Sequence, residues 1–169
     1  MRAMTLGEYV TALIARLGEA DPEALARMQR VVGRRRARIA LDDEAIDVAF
    51  VPHGLDVQPA TVDAPIDGEG ATSRETVVAL LDGRLEVTDA ILQGYLRVTG
   101  TADDVSRMFV AIEILLDVSA RAPALQALAE TLRGAAPAVP ATAVSPWEAQ
   151  SREDEMLARL GLLAEDGGG

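Results

Sequence analysis

The stretch Leu80-Leu81-Asp82-Gly83-Arg84-Leu85, with Gly94-Tyr95-Leu96-Arg97-Val98-Thr99-Gly100 soon after it, constrains this chain more than any other part. Leu96 and Val98 alternate with Arg97 between two glycines, and a strongly apolar stripe at helical spacing begins directly after Thr101. A short strand held by glycines between apolar helices reads as one wall of an apolar pocket, and nothing in it reads as a catalytic centre.

With 169 residues the chain has room for one domain and a short appendage. Hydrophobic residues make up 49% of it but aromatic residues only 3%, so Leu, Val, Ile and Ala must fill the interior around Tyr9, Phe50, Tyr95 and Phe109. That interior suits aliphatic guests. All 16 basic residues are arginine, which removes Schiff-base lysines and lysine-dependent phosphate loops. The absence of cysteine removes thiolate nucleophiles, disulfides and thiolate metal sites, and the lone His53 cannot build a multi-histidine centre. No cofactor or metal is therefore expected. A formal charge of −11 repels nucleic acid and anionic bilayers, so no nucleic-acid partner and at most transient membrane contact are expected. The run Arg34-Arg35-Arg36-Ala37-Arg38 reads as the solvated edge of a strand. Neither a secretory leader nor an eighteen-residue apolar run stands out, so a soluble, cytoplasmic protein is expected. The lysine-free, alanine-rich composition is of the kind associated with bacteria of high GC content.

Thr5-Leu6-Gly7-Glu8 has capping-box spacing, and Leu6, Tyr9, Val10, Leu13, Ile14 and Leu17 follow on one helical face. Asp21-Pro22 caps a second helical piece that Gly33 ends, so residues 5–33 read as helical. From Arg36 the period changes to two, and residues 35–51 read as a hairpin whose turn is Asp42-Asp43-Glu44. Pro52, Pro59 and Pro65 interrupt the next segment, so a strand between about Leu55 and Ile66 should lie at a sheet edge. Thr72-Ser73-Arg74-Glu75 reads as another capping box, opening a helix that Gly83 closes. A short helix over about Thr88 to Gln93 precedes the glycine-bracketed strand, and Pro123 divides the long helix that follows it. Residues 135–144 form an Ala/Pro linker, and 145–169 an accessory helix, begun by Ser145-Pro146-Trp147-Glu148, with a disordered tail.

Ser73-Arg74-Glu75-Thr76-Val77-Val78-Ala79-Leu80-Leu81-Asp82-Gly83-Arg84-Leu85 and Ala90-Ile91-Leu92-Gln93-Gly94-Tyr95-Leu96-Arg97-Val98-Thr99-Gly100-Thr101, in this order of elements, resemble the sterol carrier protein family, type two. The similarity spans roughly residues 20–133, with its core from Ser73 to Phe109. The family often carries Lys where Arg84 and Arg97 stand, and often a Gly in the hairpin turn. The resemblance implies an α+β fold, with a mixed sheet of about five strands covered on one face by helices and an apolar tunnel between the layers. On this basis residues 1–134 form the lipid-binding domain. It also implies non-catalytic binding, solubilisation or transfer of a sterol, fatty acyl chain or similar lipid.

The expected ligand wall comprises Val77, Leu80, Leu81, Ile91 and Leu92 on the middle helices, with Met108, Phe109, Ile112 and Leu116 on the long one. Met108 can adapt to variable guests, and Tyr95 offers a phenol to a guest's polar end. Two other readings stand beside this one. In the first, a small isomerase or cyclase uses His53, Tyr95 or Asp47 as general acid or base in the same pocket. In the second, the accessory helix, with Met156, Leu157, Leu160 and Leu163 on one stretch, docks on a partner protein, on a second copy, or over the tunnel mouth as a lid.

Overall fold

Two helices open the computed structural model, which describes residues 2–135. In α1 (Leu6–Ala20) the Thr5 hydroxyl accepts from Glu8 N at 3.3 Å while Glu8 Oε2 accepts from Thr5 N at 2.8 Å, completing the capping box that the spacing predicted. Asp21 caps α2 (Pro22–Val32) by accepting from Ala24 N at 2.9 Å, with Pro22 in the first turn.

β1 (Arg36–Leu41) and β2 (Glu44–Val51) form the hairpin, with Ala37 opposite Val48 and Ile39 opposite Ile46. No glycine is needed at its turn because Asp42 takes the left-handed conformation, with φ 54°. β3 (Gly54–Pro59) pairs antiparallel to β2 at the sheet edge, as its prolines required, and ends at Pro59. β4 (Gly68–Thr72) was not legible in advance. Its sequence Gly-Glu-Gly-Ala-Thr has little strand propensity, yet it pairs in parallel with β1 and antiparallel with β5 (Arg97–Gly100). The sheet order is β3-β2-β1-β4-β5, a mixed five-stranded sheet.

Because Thr72 is the last residue of β4, opposite Leu41, it cannot cap the next helix. Ser73 does so instead, accepting from Thr76 N at 3.1 Å, while the Thr72 hydroxyl donates to Tyr95 O at 2.9 Å. The expected capping box is thus displaced by one residue, and Glu75 closes no reciprocal bond. α3 (Arg74–Leu81) and α4 (Val87–Leu92) lead into β5, followed by α5 (Ala102–Arg121) and α6 (Pro123–Ala135). Ala122, held extended before Pro123, separates the last two.

The strand period sorts the sheet into two faces. Ile39, Ile46, Val48, Phe50, Leu55, Val57 and Val98 share the face that the helices cover. Arg38, Asp47, Glu69 and Arg97 point the other way. The connection 60–67 runs over that outer face, where Arg38 Nη2 donates to Thr61 O at 2.5 Å. The arginine run is not a solvated row. Arg35 pairs with Asp104 at 2.7 Å, Arg36 with Asp56 at 3.1 Å and Arg38 with Asp47 at 2.8 Å, so internal carboxylates absorb three of its charges.

The best-sealed core lies among the helices, at Leu17, Val118, Leu125 and Leu128, all under 2% exposed. Toward the sheet, Ile39, Val48, Phe50, Leu55 and Val57 are only half-buried. Most of the linker expected over 135–144, and all of the accessory helix expected over 145–169, lie outside the described residues.

Candidate functional site

A cavity of about 380 Å³ lies where the start of α1, the start of α3 and the end of α6 meet the end of β1. Leu6 and Tyr9 of α1, Leu41 of β1 and Leu132 of α6 form its apolar walls. Residues 2–5 close one side and Arg74 marks another. The stripe that begins at Leu6 brings the first two here, and the Thr5 capping box fixes the angle at which the chain enters the helix.

Glu44 organises the polar side of this region. It stands in phase with Ile46, Val48 and Phe50 and therefore points toward the helices from the first position of β2. One carboxylate oxygen accepts from Arg74 Nη2 at 2.9 Å, and the other accepts from Leu6 N, at the N-terminus of α1, at 2.8 Å. Arg74 Nε also lies 3.3 Å from Asp42 Oδ2. Arg2, the other cation at the cavity wall, pairs with Glu8 at 2.6 Å. Tyr9 packs against Leu6, Val10 and Leu132, and its hydroxyl makes no hydrogen bond among the described residues. Burial pushes its phenol up, against the weaker opposing pull of the Arg133 and Arg16 guanidiniums.

The residues expected to contact a ligand fall into four groups. Val77 and Leu81 pack with Leu6, Leu41 and Leu132, in the same apolar cluster as the cavity walls. Leu80, Ile91, Phe109, Ile112 and Leu116 surround a neighbouring cluster built on Val87, Ala90 and Leu96. Met108 sits against β4, where a Cβ on Gly68 would lie 2.7 Å from its sulfur and a Cβ on Gly70 3.6 Å from its terminal methyl. Leu92 is 78% exposed and Tyr95 39% exposed. None of the ten forms the wall of the 380 Å³ cavity. Leu6, Tyr9, Leu41, Arg74 and Leu132 are not among the ligand contacts expected from sequence. The signal that could have found them is Glu44, a carboxylate at an inward strand position that requires a cation and a donor nearby.

The groups considered for acid-base chemistry are elsewhere. Asp47 is on the outer face, 1% exposed, held by Arg38 through bonds of 2.8 and 3.1 Å. The Arg38 guanidinium keeps this carboxyl below its usual range despite burial, so it is a fixed anion rather than a proton carrier in the interior. His53 is exposed in the turn between β2 and β3. Among the described residues no group of three or more His, Cys, Asp or Glu side chains is arranged to hold a metal ion, and no helix is long and apolar enough to cross a membrane.

No family model matches this chain, and no curated protein does. Solved structures do. A crystal structure of sterol carrier protein 2 aligns with a TM-score of 0.50 at 17% identity, covering 72% of this chain and 99% of that one. The solution structure of the sterol carrier protein domain 2 of Helicoverpa armigera aligns at 0.48 and 16% identity, over 72% of this chain and 97% of its own. A UbiJ-SCP2 ubiquinone synthesis protein aligns at 0.48 and 21% identity, over 68% and 96%. The mixed sheet, with helices on one face and the glycine-bracketed β5 feeding a long helix, gives this chain the fold of sterol carrier protein 2.

Proposed function

We propose that this protein binds and shuttles an apolar small molecule, of the sterol or fatty acyl kind, without transforming it. The observation that carries this reading is the 380 Å³ cavity with apolar walls at Leu6, Tyr9, Leu41 and Leu132, within the range of roughly 300–1,000 Å³ typical of small-molecule sites. In this reading the space continues inward from Leu6, Leu41 and Leu132 past Val77 and Leu81. Beyond them Leu80, Ile91, Phe109, Ile112 and Leu116 form its far wall, with Met108 as an adaptable plug. Leu92 and Tyr95 stand at its outer rim.

Aliphatic walls suffice for such a task. Each buried methylene gains about 0.8 kcal/mol relative to water, but a bilayer offers the same, so a carrier need only match the membrane to load and release. The positions of Asp47 and His53, away from the cavity, favour binding over acid-base catalysis. Native mass spectrometry of the full chain purified without detergent, followed by solvent extraction, tests the reading. A recurrent apolar adduct is the expected result, and a guest-free mass together with no uptake of any hydrocarbon would overturn it.

A further inference from the structure

We propose that this cavity selects guests with an uncharged polar end, an alcohol or a carbonyl, over lipid anions. The inference rests on the reading of the cavity as the guest's site. A carboxylate or phosphate head entering here would seek a guanidinium or a free helix N-terminus. Both positions are filled by the chain's own acids. Glu44 spans Leu6 N and Arg74 at 2.8 and 2.9 Å, Asp42 holds the remaining edge of Arg74 at 3.3 Å, and Glu8 holds Arg2 at 2.6 Å. An anion would have to displace one of these carboxylates or sit beside it unpaired, and like charges at close range in a half-covered site repel. Tyr9 lines the cavity, and its hydroxyl, which has no hydrogen-bond partner among the described residues, can donate to a carbonyl or exchange a hydrogen bond with an alcohol. Neither guanidinium near Tyr9 borders the cavity: Arg133 is paired with Asp82 and Glu130, and Arg16 donates to Ala124 O at 3.2 Å.

The test uses the full chain loaded with the uncharged dye Nile red, displaced by dodecanol or by dodecanoate at about pH 8, where a free carboxyl is ionised. Dodecanol should displace the dye at about ten-fold lower concentration than dodecanoate, the cost expected of one uncompensated charge. Glu44→Gln, which removes the blocking charge, should tighten dodecanoate and narrow that ratio several-fold, and Asp42→Asn should do the same to a smaller extent should the first variant fail to fold. Tyr9→Phe should weaken dodecanol by about five-fold, the value of one hydrogen bond, and leave dodecane unchanged. Equal displacement by the alcohol and the acid, or no shift in the ratio on removing Glu44 and Asp42 charges, overturns the selectivity while leaving binding intact. Failure of Nile red and every competitor to bind overturns the binding reading itself.

Discussion

Met108 lies so close to Gly68 that a Cβ on the glycine would come within 2.7 Å of its sulfur. That contact explains the glycine at position 68 of β4, where α5 presses on the strand. Gly68→Ala should destabilise the domain by about 1–3 kcal/mol, since the added methyl also meets Thr99 O at 3.2 Å. Met108→Ala in the same chain should recover part of the loss, a non-additivity that urea unfolding of the four variants would read.

Asp47 and Arg38 form the most enclosed ion pair among the described residues, under the connection that reaches Thr61. Asp47→Ala should cost about 1–3 kcal/mol, because it leaves a guanidinium partly buried without its acceptor. Asp47→Asn should cost less.

The same pair sets an acid limit. The folded Asp47 carboxyl titrates below its reference value of 3.8, so the unfolded chain binds the proton first. Its contribution to stability is therefore complete above that value and is lost as pH falls through the lower folded value. Thermal unfolding between neutral pH and strong acid should show a loss in the wild type that is smaller in Asp47→Asn.

Leu125 and Leu132 separate packing from binding. Leu125 is 1% exposed within the helical core, and Leu125→Ala should cost about 2–5 kcal/mol. Leu132, at the cavity wall, should cost less when changed to Ala while altering the uptake of a fluorescent apolar probe, a readout that Leu125→Ala should leave unchanged. Denaturant curves and probe titrations of the two variants check this.

At the amino terminus, Thr5→Ala removes one half of the capping box and should cost about 1 kcal/mol in a denaturant titration. It should also weaken probe uptake, since the entry of α1 frames the cavity.

Much of this architecture was readable from the residues because its signals are local. The Thr5 box, Pro22, Pro123 and the Ala37-Ile39-Leu41 alternation each act within a turn or two of chain. β4 was not readable, because its residues have little strand propensity and Gly68 serves the distant Met108 rather than its own strand. The cap at Ser73 was misplaced by one residue because the pairing of Thr72 with Leu41 is non-local. The cavity was missed for the same reason: Leu6, Leu41, Arg74 and Leu132 come from four separate elements. The apolar periodicity that marked Val77, Leu80 and Phe109 cannot distinguish a residue that packs from one that waits for a guest.

A crystal structure of the full chain grown with a bromine-tipped long-chain alcohol addresses the central claim most directly. The expected result is continuous hydrocarbon density running inward between Leu41 and Leu132, with the hydroxyl near Tyr9 and an anomalous bromine signal between the helices and the sheet. Side chains closed on one another across that space, with bromine only at the surface or nowhere, would contradict it.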